Sequence, residues 1–206
     1  PFPISIDVEA HEETAGSEEV EQEMERWREQ LRLGDAALGI GIDRIDYTKG
    51  IPERLHAVDR LLEMHPEHRE RLVFVQIGVP SRTHVKPYKM IDDEIDELVE
   101  EINWKWSTDA WRPIVYLKQQ HGPRQMMALH RLANFCMVTS LDDGMNLVAK
   151  EFVTSRLDGD GVLILSRFTG AARELTDAML VNPFAVDEMA EAIRLALEMP
   201  EEERRK

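Results

Sequence analysis

Short apolar runs alternate with helical patterns of apolar residues along most of this sequence. Residues 72–77 read Leu-Val-Phe-Val-Gln-Ile, and after a loop Ile91, Ile95, Leu98 and Ile102 recur at helical spacing. The same order of strand and helix recurs at least five times with short connections. Such apolar runs are typical of strands buried on both faces, and their alternation with helices predicts a parallel sheet covered by helices on both sides. We therefore predict a doubly wound α/β fold.

Residues 1–33 are interpreted as a lead-in to this core, which spans residues 34–206. The first nine residues alternate apolar and polar side chains, which is typical of a strand, and a helical pattern with one apolar stripe follows Ser17. The chain starts directly on the alternating pattern, with no room for a preceding turn. We therefore expect it to be a fragment of a longer protein, with residues 1–33 as an inter-domain strand and helix.

The composition opposes several kinds of partner. A net charge of −15 would repel nucleic acid and anionic membranes. No apolar run reaches the roughly 18 residues of a membrane span, and residues 1–16 lack a signal-peptide pattern, so a cytoplasmic location is expected. The single cysteine, Cys136, lies in the apolar run 135–138 and is predicted to be a buried strand residue. The oligomeric state is left open.

The loop at residues 41–50 is a first candidate site. It reads Gly-Ile-Asp-Arg-Ile-Asp-Tyr-Thr-Lys-Gly and leads into a helix pattern with Pro52 in its first turn. Arg44 and Lys49 place two cations near the free N–H groups of a helix start, an arrangement that suits a diphosphate. An ordinary turn with solvated charges has the same pattern, and the loop alone does not decide between the two.

A second loop adds polar groups of a different kind. Asp143, Gly144, Met145 and Asn146 offer a carboxylate suited to sugar hydroxyls, a glycine that admits a ligand to the backbone, and N–H groups at a helix start. The alternative interpretation is structural, with Asp143 as the N-cap of the helix that follows.

Glu151 lies one helical turn beyond this loop. It shares a helix face with Leu147 and Val148, where a carboxylate can accept both hydroxyls of a ribose. The alternative is a surface ion pair with Lys150 or Arg156. Neither histidine in this half, His121 or His130, is assigned as a catalytic base.

Several segments closely resemble the C-terminal half of the trehalose-6-phosphate synthase family. They occur in the same order over most of the chain, and Asp-Gly-Met-Asn-Leu-Val-Ala-Lys-Glu is the most specific of them. The segments are residues 43–54, 80–82, 143–152, 162–166, 170–175 and 180–183. The resemblance implies a retaining glycosyltransferase of the GT-B type, in which two Rossmann-like domains face each other and this half binds the nucleotide-sugar donor.

The resemblance also implies roles for individual residues. Arg44 and Lys49 would bind the diphosphate and stabilise the leaving nucleotide, in place of a metal or other cofactor. Arg82 would reach the phosphate of the acceptor. The remaining donor contacts would come from the carboxylate of Asp143, the backbone of Gly144, Met145, Asn146, Leu147 and Val148, and the carboxylate of Glu151 at the ribose.

The implied reaction transfers glucose from a nucleotide-glucose, with UDP-glucose as the first choice, to glucose 6-phosphate. The chain departs from the family pattern at Asp142, at Trp104 and in the loop 118–123 near the base, so adenosine and guanosine stay open as the base. Two alternatives are an enzyme with another phosphorylated acceptor, similar to glucosylglycerol-phosphate synthase, and a non-catalytic regulatory subunit. In each case an N-terminal acceptor domain is expected to be missing here, which would leave this fragment inactive alone.

Overall fold

Six parallel strands form the centre of the molecule. A computed structural model of the chain describes residues 4–81 and 84–205. The strands are β1 (Ala37–Arg44), β2 (Leu72–Val79), β3 (Ile114–Leu117), β4 (Phe135–Val138), β5 (Val162–Ser166) and β6 (Met179–Val181). They join in the order β3-β2-β1-β4-β5-β6, with every neighbouring pair parallel. The predicted doubly wound sheet is confirmed.

Helices cover both faces of this sheet. They are α1 (Val8–Ala15), α2 (Glu18–Leu31), α3 (Ile51–Met64), α4 (Lys86–Trp106), α5 (Pro123–Leu132), α6 (Leu147–Ser155), α7 (Val186–Glu198) and α8 (Glu201–Arg204), with 3₁₀ turns at Pro66–His68 and Gly170–Arg173. One apolar core lies under α3, α4 and α7, and a second lies under α2, α5 and α6. Alternate strand residues feed the two cores, so that Phe74 packs in one and Val73 and Val75 in the other.

The lead-in differs in part from the expectation. The helix predicted after Ser17 is present as α2, with Val20, Met24 and Trp27 buried. In place of a strand, the described part of the first nine residues runs into α1, because the side chain of Asp7 accepts a hydrogen bond of 3.2 Å from the Ala10 amide and caps that helix. Residues 1–3 lie outside the described residues.

The order of the strands fixes where a ligand would bind. Successive strands add on one side of β1 as β2 and β3, and then on the other side as β4, β5 and β6. In open α/β sheets the crevice at such a reversal, beyond the carboxyl ends of the strands, is the usual binding place. The loops that follow β1 and β4 carry the two candidate segments, and both lie at this crevice. Among the helices of the described residues, none has the length and apolar content to cross a membrane.

Cys136 is a buried strand residue, as expected, and His130 is a buried residue of the core. Cys136 is fully buried in β4, and burial raises the pKa of its thiol, which keeps the thiol protonated. His130 on α5 is 1% exposed, its ring stands edge-on to Phe152, and neither ring nitrogen has a hydrogen-bond partner among the described residues. Both side chains act as apolar core groups.

The burial of His130 should make stability depend on pH. Burial lowers the pKa of His130 to about 3, whereas the pKa of a histidine in an unfolded chain is about 6.5. Between these values the unfolded chain binds the proton and the folded chain does not, so stability falls as the pH falls. From pH 7 to pH 5 the loss from this group should be about 2 kcal/mol.

Urea unfolding at the two pH values measures this effect. The variant His130→Leu should lose about 2 kcal/mol less than the wild type over this interval. His84→Asn is the matched control, because His84 is exposed in the folded chain. Equal pH dependence of the wild type and His130→Leu would contradict the prediction.

Candidate functional site

The loops after β1 and β4 are joined through their backbones at the switch point. The amide of Leu141 donates a hydrogen bond of 2.8 Å to the carbonyl of Thr48. Gly50 has a φ of 62°, and a Cβ at this position would lie 2.3 Å from the carbonyl oxygen of Thr139. Only glycine allows both this left-handed turn and the close approach. The loop at residues 41–50, predicted to bind phosphate, and the loop at residues 143–146, predicted to bind sugar and called the sugar loop below, therefore form one continuous surface.

Lys49 and Asp143 meet on this surface. The ammonium of Lys49 lies 2.6 Å from the Oδ2 of Asp143, and the two side chains are 15% and 16% exposed. Asp143 also accepts hydrogen bonds from the Met145 amide at 3.3 Å and from the Asn146 side chain at 3.1 Å. Burial alone would raise the pKa of Asp143, but the hydrogen bond and charge of Lys49, together with the hydrogen bonds from Met145 and Asn146, outweigh burial and lower it. The site therefore holds a fixed cation beside an ionised carboxylate.

Asn146, and not Asp143, is the N-cap of α6. Its side chain accepts a hydrogen bond of 3.2 Å from the Ala149 amide, and its φ of 78° turns the chain into the helix. The structural alternative for Asp143 is therefore wrong, which leaves its carboxylate for the loop and Lys49. Gly144 is exposed, and a Cβ there would meet no atom within 4 Å. Backbone at Gly144 is consequently open to a ligand.

The remaining predicted donor residues surround this centre. Arg44 ends β1 and is exposed, and its side chain makes no hydrogen bond or ion pair with another residue in the part of the chain that is described. Leu147 and Val148 form the first turn of α6, where the free backbone N–H groups lie. Glu151 is half-buried one turn further along the same helix.

Glu151 does not have the surface partners that were considered for it. Lys150 is buried and pairs with Glu174 at 2.7 Å. Arg156 pairs with Asp158 at 3.2 Å. The side chain of Glu151 makes no ion pair with another described residue and is free to accept hydrogen bonds.

Other predicted positions lie around the crevice or outside it. Arg82 lies outside the described residues. In the loop expected near the base, Lys118 pairs with Asp92 at 2.7 Å, and the His121 ring centroid lies 5.3 Å from that of Trp27. Trp104, one of the departures from the family pattern, is 92% exposed on α4.

A 3₁₀ turn supports the sugar loop from behind. The Gly170 amide donates to the Asp143 carbonyl at 2.8 Å, and the Ala171 amide donates to the Met145 carbonyl at 2.9 Å. A Cβ on Gly170 would lie 2.0 Å from the Gly144 carbonyl oxygen. The 3₁₀ turn therefore sets the position of the loop that carries Asp143.

A buried polar group that the sequence patterns did not predict lies beneath the site. Arg54 on α3 is fully buried and contacts Asp43, Gln76 and Thr139. A signal was present, because Arg54 lies three residues after Ile51, within the apolar stripe of its helix. A charged residue in a buried stripe requires buried partners, and this one has them.

One cluster of potential metal ligands is found in residues 4–81 and 84–205. Ligand atoms of Glu67, His68 and Glu198 lie within 4.8 Å of one another. They lie after α3 and at the end of α7, which places them at the amino-terminal edge of the sheet, opposite the switch point. The expectation that the site works without a metal stays a prediction.

Fold and site together define a doubly wound α/β domain with a charged, sugar-suited site at its topological switch point. All of residues 1–206 match the model of Glycosyltransferase family 20, and the chain belongs to this family. The resemblance to the trehalose-6-phosphate synthase family is thereby confirmed.

Relatives and solved structures agree on the family. The chain is 41% identical to alpha,alpha-trehalose-phosphate synthase [UDP-forming] A of Dictyostelium discoideum and 46% identical to a bifunctional trehalose-6-phosphate synthase/phosphatase of Thermoproteus tenax. Each of the two alignments includes 98% of this chain and 27% of the relative. A Burkholderia xenovorans synthase structure in complex with glucose-6-phosphate matches with a TM-score of 0.94 and 38% identity, over 99% of this chain and 45% of that one. An E. coli structure bound with UDP-2-fluoro glucose matches with a TM-score of 0.93 and 36% identity, with the same coverage.

Proposed function

We propose that this chain is the donor-binding part of a retaining glucosyltransferase that transfers glucose from UDP-glucose to glucose 6-phosphate and forms trehalose 6-phosphate. The contact of Lys49 with Asp143 at the switch point carries the proposal, because it places a cation for a diphosphate 2.6 Å from a carboxylate for a sugar. Support for the substrates comes from the relatives, which are named as UDP-forming trehalose-phosphate synthases.

The donor would lie along the crevice from α6 to the loop after β1. Its diphosphate would contact Arg44 and Lys49 and the first N–H groups of α6, which together offer charge and directed hydrogen bonds. Its glucosyl hydroxyls would bind Asp143 and the exposed backbone at Gly144. The ribose would reach Glu151, one helical turn away.

The reaction would proceed through stabilisation of the leaving nucleotide. The bond from the anomeric carbon to the UDP oxygen breaks, and the new bond to the acceptor hydroxyl forms on the same face. The proton of that hydroxyl passes to the departing phosphate oxygen. Charge accumulates on the diphosphate, where Arg44 and Lys49 oppose it, and electrostatic stabilisation of this kind is a large contribution to catalysis. The proposal includes no metal and no other cofactor.

The chain spans 27% of the length of the Dictyostelium discoideum relative and 45% of the length of the Burkholderia xenovorans structure. We propose that an N-terminal acceptor domain completes the site, and that Arg82 contacts the acceptor phosphate across the cleft. The chain alone would then bind the donor without turnover. A cytoplasmic location belongs to the same proposal.

Calorimetry on the chain tests the donor. UDP and UDP-glucose should bind more tightly than ADP-glucose and GDP-glucose. Absence of binding to every one of these nucleotides, with the fold intact by circular dichroism, would overturn the proposal. In the complete protein, turnover with glycerol 3-phosphate in place of glucose 6-phosphate would identify the alternative acceptor, and a lack of turnover with any pair would support the regulatory alternative.

A further inference from the structure

Arg54 lies fully buried beneath the two loops of the site, with 0% of its surface exposed. Its Nε donates to the Thr139 hydroxyl at 3.0 Å, and its Nη1 donates to Asp43 at 2.7 Å and to Gln76 at 2.9 Å. Its Nη2 reaches the carbonyl of Lys49 at 3.4 Å. One planar guanidinium therefore contacts four separate segments of the chain.

Three of these four contacts fix a part of the donor site. Asp43 is the residue before Arg44, and the Lys49 carbonyl belongs to the second cation of the loop. Thr139 begins the segment that leads to Asp143. Arg54 thus connects the residue before Arg44 and the backbone of Lys49 to the segment that leads into the sugar loop.

The packing around Arg54 is built to hold this side chain in one place. A Cβ on Gly41 would lie 2.4 Å from Nη1 of Arg54 and 2.6 Å from the side-chain oxygen of Gln76. Glycine in β1 therefore makes room for the guanidinium, and any other residue there would displace it. Lysine offers a single ammonium and cannot reproduce the fixed fork of five N–H donors.

Stability alone gives little reason for a charged pair in this position. Removing Arg54 and Asp43 from water has a large energetic cost, and buried ion pairs are often no more stabilising than apolar residues of similar volume. Burial raises the pKa of Asp43 against the opposing charge of Arg54, in agreement with that cost. The network has a stronger effect on geometry, because its four contacts must be satisfied together.

We propose that Arg54 is a positioning residue for the donor diphosphate. The hydrogen bonds of its buried guanidinium to Asp43, Thr139 and the Lys49 carbonyl hold Arg44 and Lys49 in a fixed position relative to the sugar loop. The proposal rests on the proposed function. Arg54 itself does not touch the donor. Its effect should therefore appear in the phosphate part of the ligand and not in the nucleoside part.

Two variants test this role by the ratio of UDP affinity to uridine affinity. Thr139→Val keeps the shape of the side chain and removes the acceptor of Nε, and Arg54→Lys keeps the charge and removes the fork. In both, UDP should bind about tenfold more weakly or worse, because a charged hydrogen-bond network is broken. Uridine, titrated by NMR, should bind with an affinity within about twofold of the wild type, since it has no diphosphate.

Ile193→Val is the control for a loss of stability elsewhere. Ile193 is fully buried on α7, and the change should lower stability with no change in the affinity for UDP or uridine. Equal weakening of UDP and uridine in the site variants, or no weakening of either, would overturn the positioning role. Loss of the folded state in both variants would overturn it too, because the network would then be required for folding. A wild-type chain that binds no UDP would refute the proposed function itself.

Discussion

Replacing Lys49 with alanine should weaken the binding of UDP by about 1–3 kcal/mol, or about 5- to 150-fold. The ammonium of Lys49 is held in place by the Oδ2 of Asp143 at 2.6 Å and is only 15% exposed. A phosphate oxygen that meets this ammonium forms a charged hydrogen bond without ordering a free side chain. Removal of the Lys49 ammonium also leaves the carboxylate of Asp143 without its cation, beside an anionic ligand.

Calorimetry with UDP at constant ionic strength measures the loss. The control is Lys105→Ala, because Lys105 also pairs with a carboxylate, Asp59 at 3.0 Å, but lies on α4. That variant should bind UDP with the affinity of the wild type. If Lys49→Ala binds UDP as tightly as Lys105→Ala does, Lys49 does not belong to the donor site.

The same substitution should change the titration of Asp143. The hydrogen bond and charge of Lys49 are the largest of the causes that lower the pKa of this carboxyl against the effect of burial, so the pKa of Asp143 should rise in Lys49→Ala. Carbon-detected NMR of the aspartate side chains would show the shift. An unchanged pKa would mean that the contact between the two side chains does not persist in solution.

The sheet could be predicted from the sequence because its signals are local. The run 72–77 is apolar without interruption, and strand β2 is buried on both faces. The start of α3 also has local signals. Pro52 has a fixed φ that suits a first helical turn, and Gly50 adopts a positive φ just before the helix. Signals of this kind need only neighbouring residues, so no tertiary contact has to be known.

The contact network of the site could be predicted only in part. Arg44, Lys49 and Asp143 were found as residue types suited to a ligand, but the direct contact of Lys49 with Asp143 spans 94 positions of the chain. The contact of Arg54 with Thr139 spans 85 positions. Local patterns cannot show which distant hydroxyl a buried guanidinium will meet, because the order of the strands decides it.

Helix α1 shows a second limit. Val8–Ala15 has few apolar residues and buries only Ala15 among its eight, so it has no marked stripe. Alternation of side chains in the first nine residues was therefore the stronger local signal, although it indicated a strand. The cap at Asp7 and the packing of Ala15 stabilise the helix, and only the second of these depends on the rest of the fold.

Replacing Gly170 with alanine should displace the backbone of the sugar loop, because the added methyl group has no room there. The added Cβ would lie 2.0 Å from the Gly144 carbonyl oxygen and 2.7 Å from its carbonyl carbon. These atoms belong to backbone, so the loop has to move and cannot simply rotate a side chain. Overpacking of this kind typically costs about 1–3 kcal/mol of stability.

The shift should also reach the ligand. The Gly170 amide holds the Asp143 carbonyl at 2.8 Å, so movement of the loop carries Asp143 away from the position that Lys49 shares. UDP-glucose should consequently lose about tenfold or more in affinity, because its sugar contacts are misplaced. Thermal unfolding and calorimetry on the same sample measure the two effects together.

Two further glycine variants separate the effect on the fold from the effect on the ligand. Gly16→Ala should leave both stability and affinity unchanged, since the nearest side-chain atom to its Cβ, from Leu157, lies at an ordinary 3.4 Å. Gly144→Ala should keep the stability of the wild type, because no atom lies within 4 Å of the new Cβ. It should nevertheless weaken the binding of UDP-glucose by filling space that the sugar needs.

Full stability and full affinity in Gly170→Ala would contradict the arrangement of the loop. Unchanged affinity in Gly144→Ala would instead place the sugar elsewhere on this surface, since the two variants differ in whether the methyl group meets the protein or the ligand.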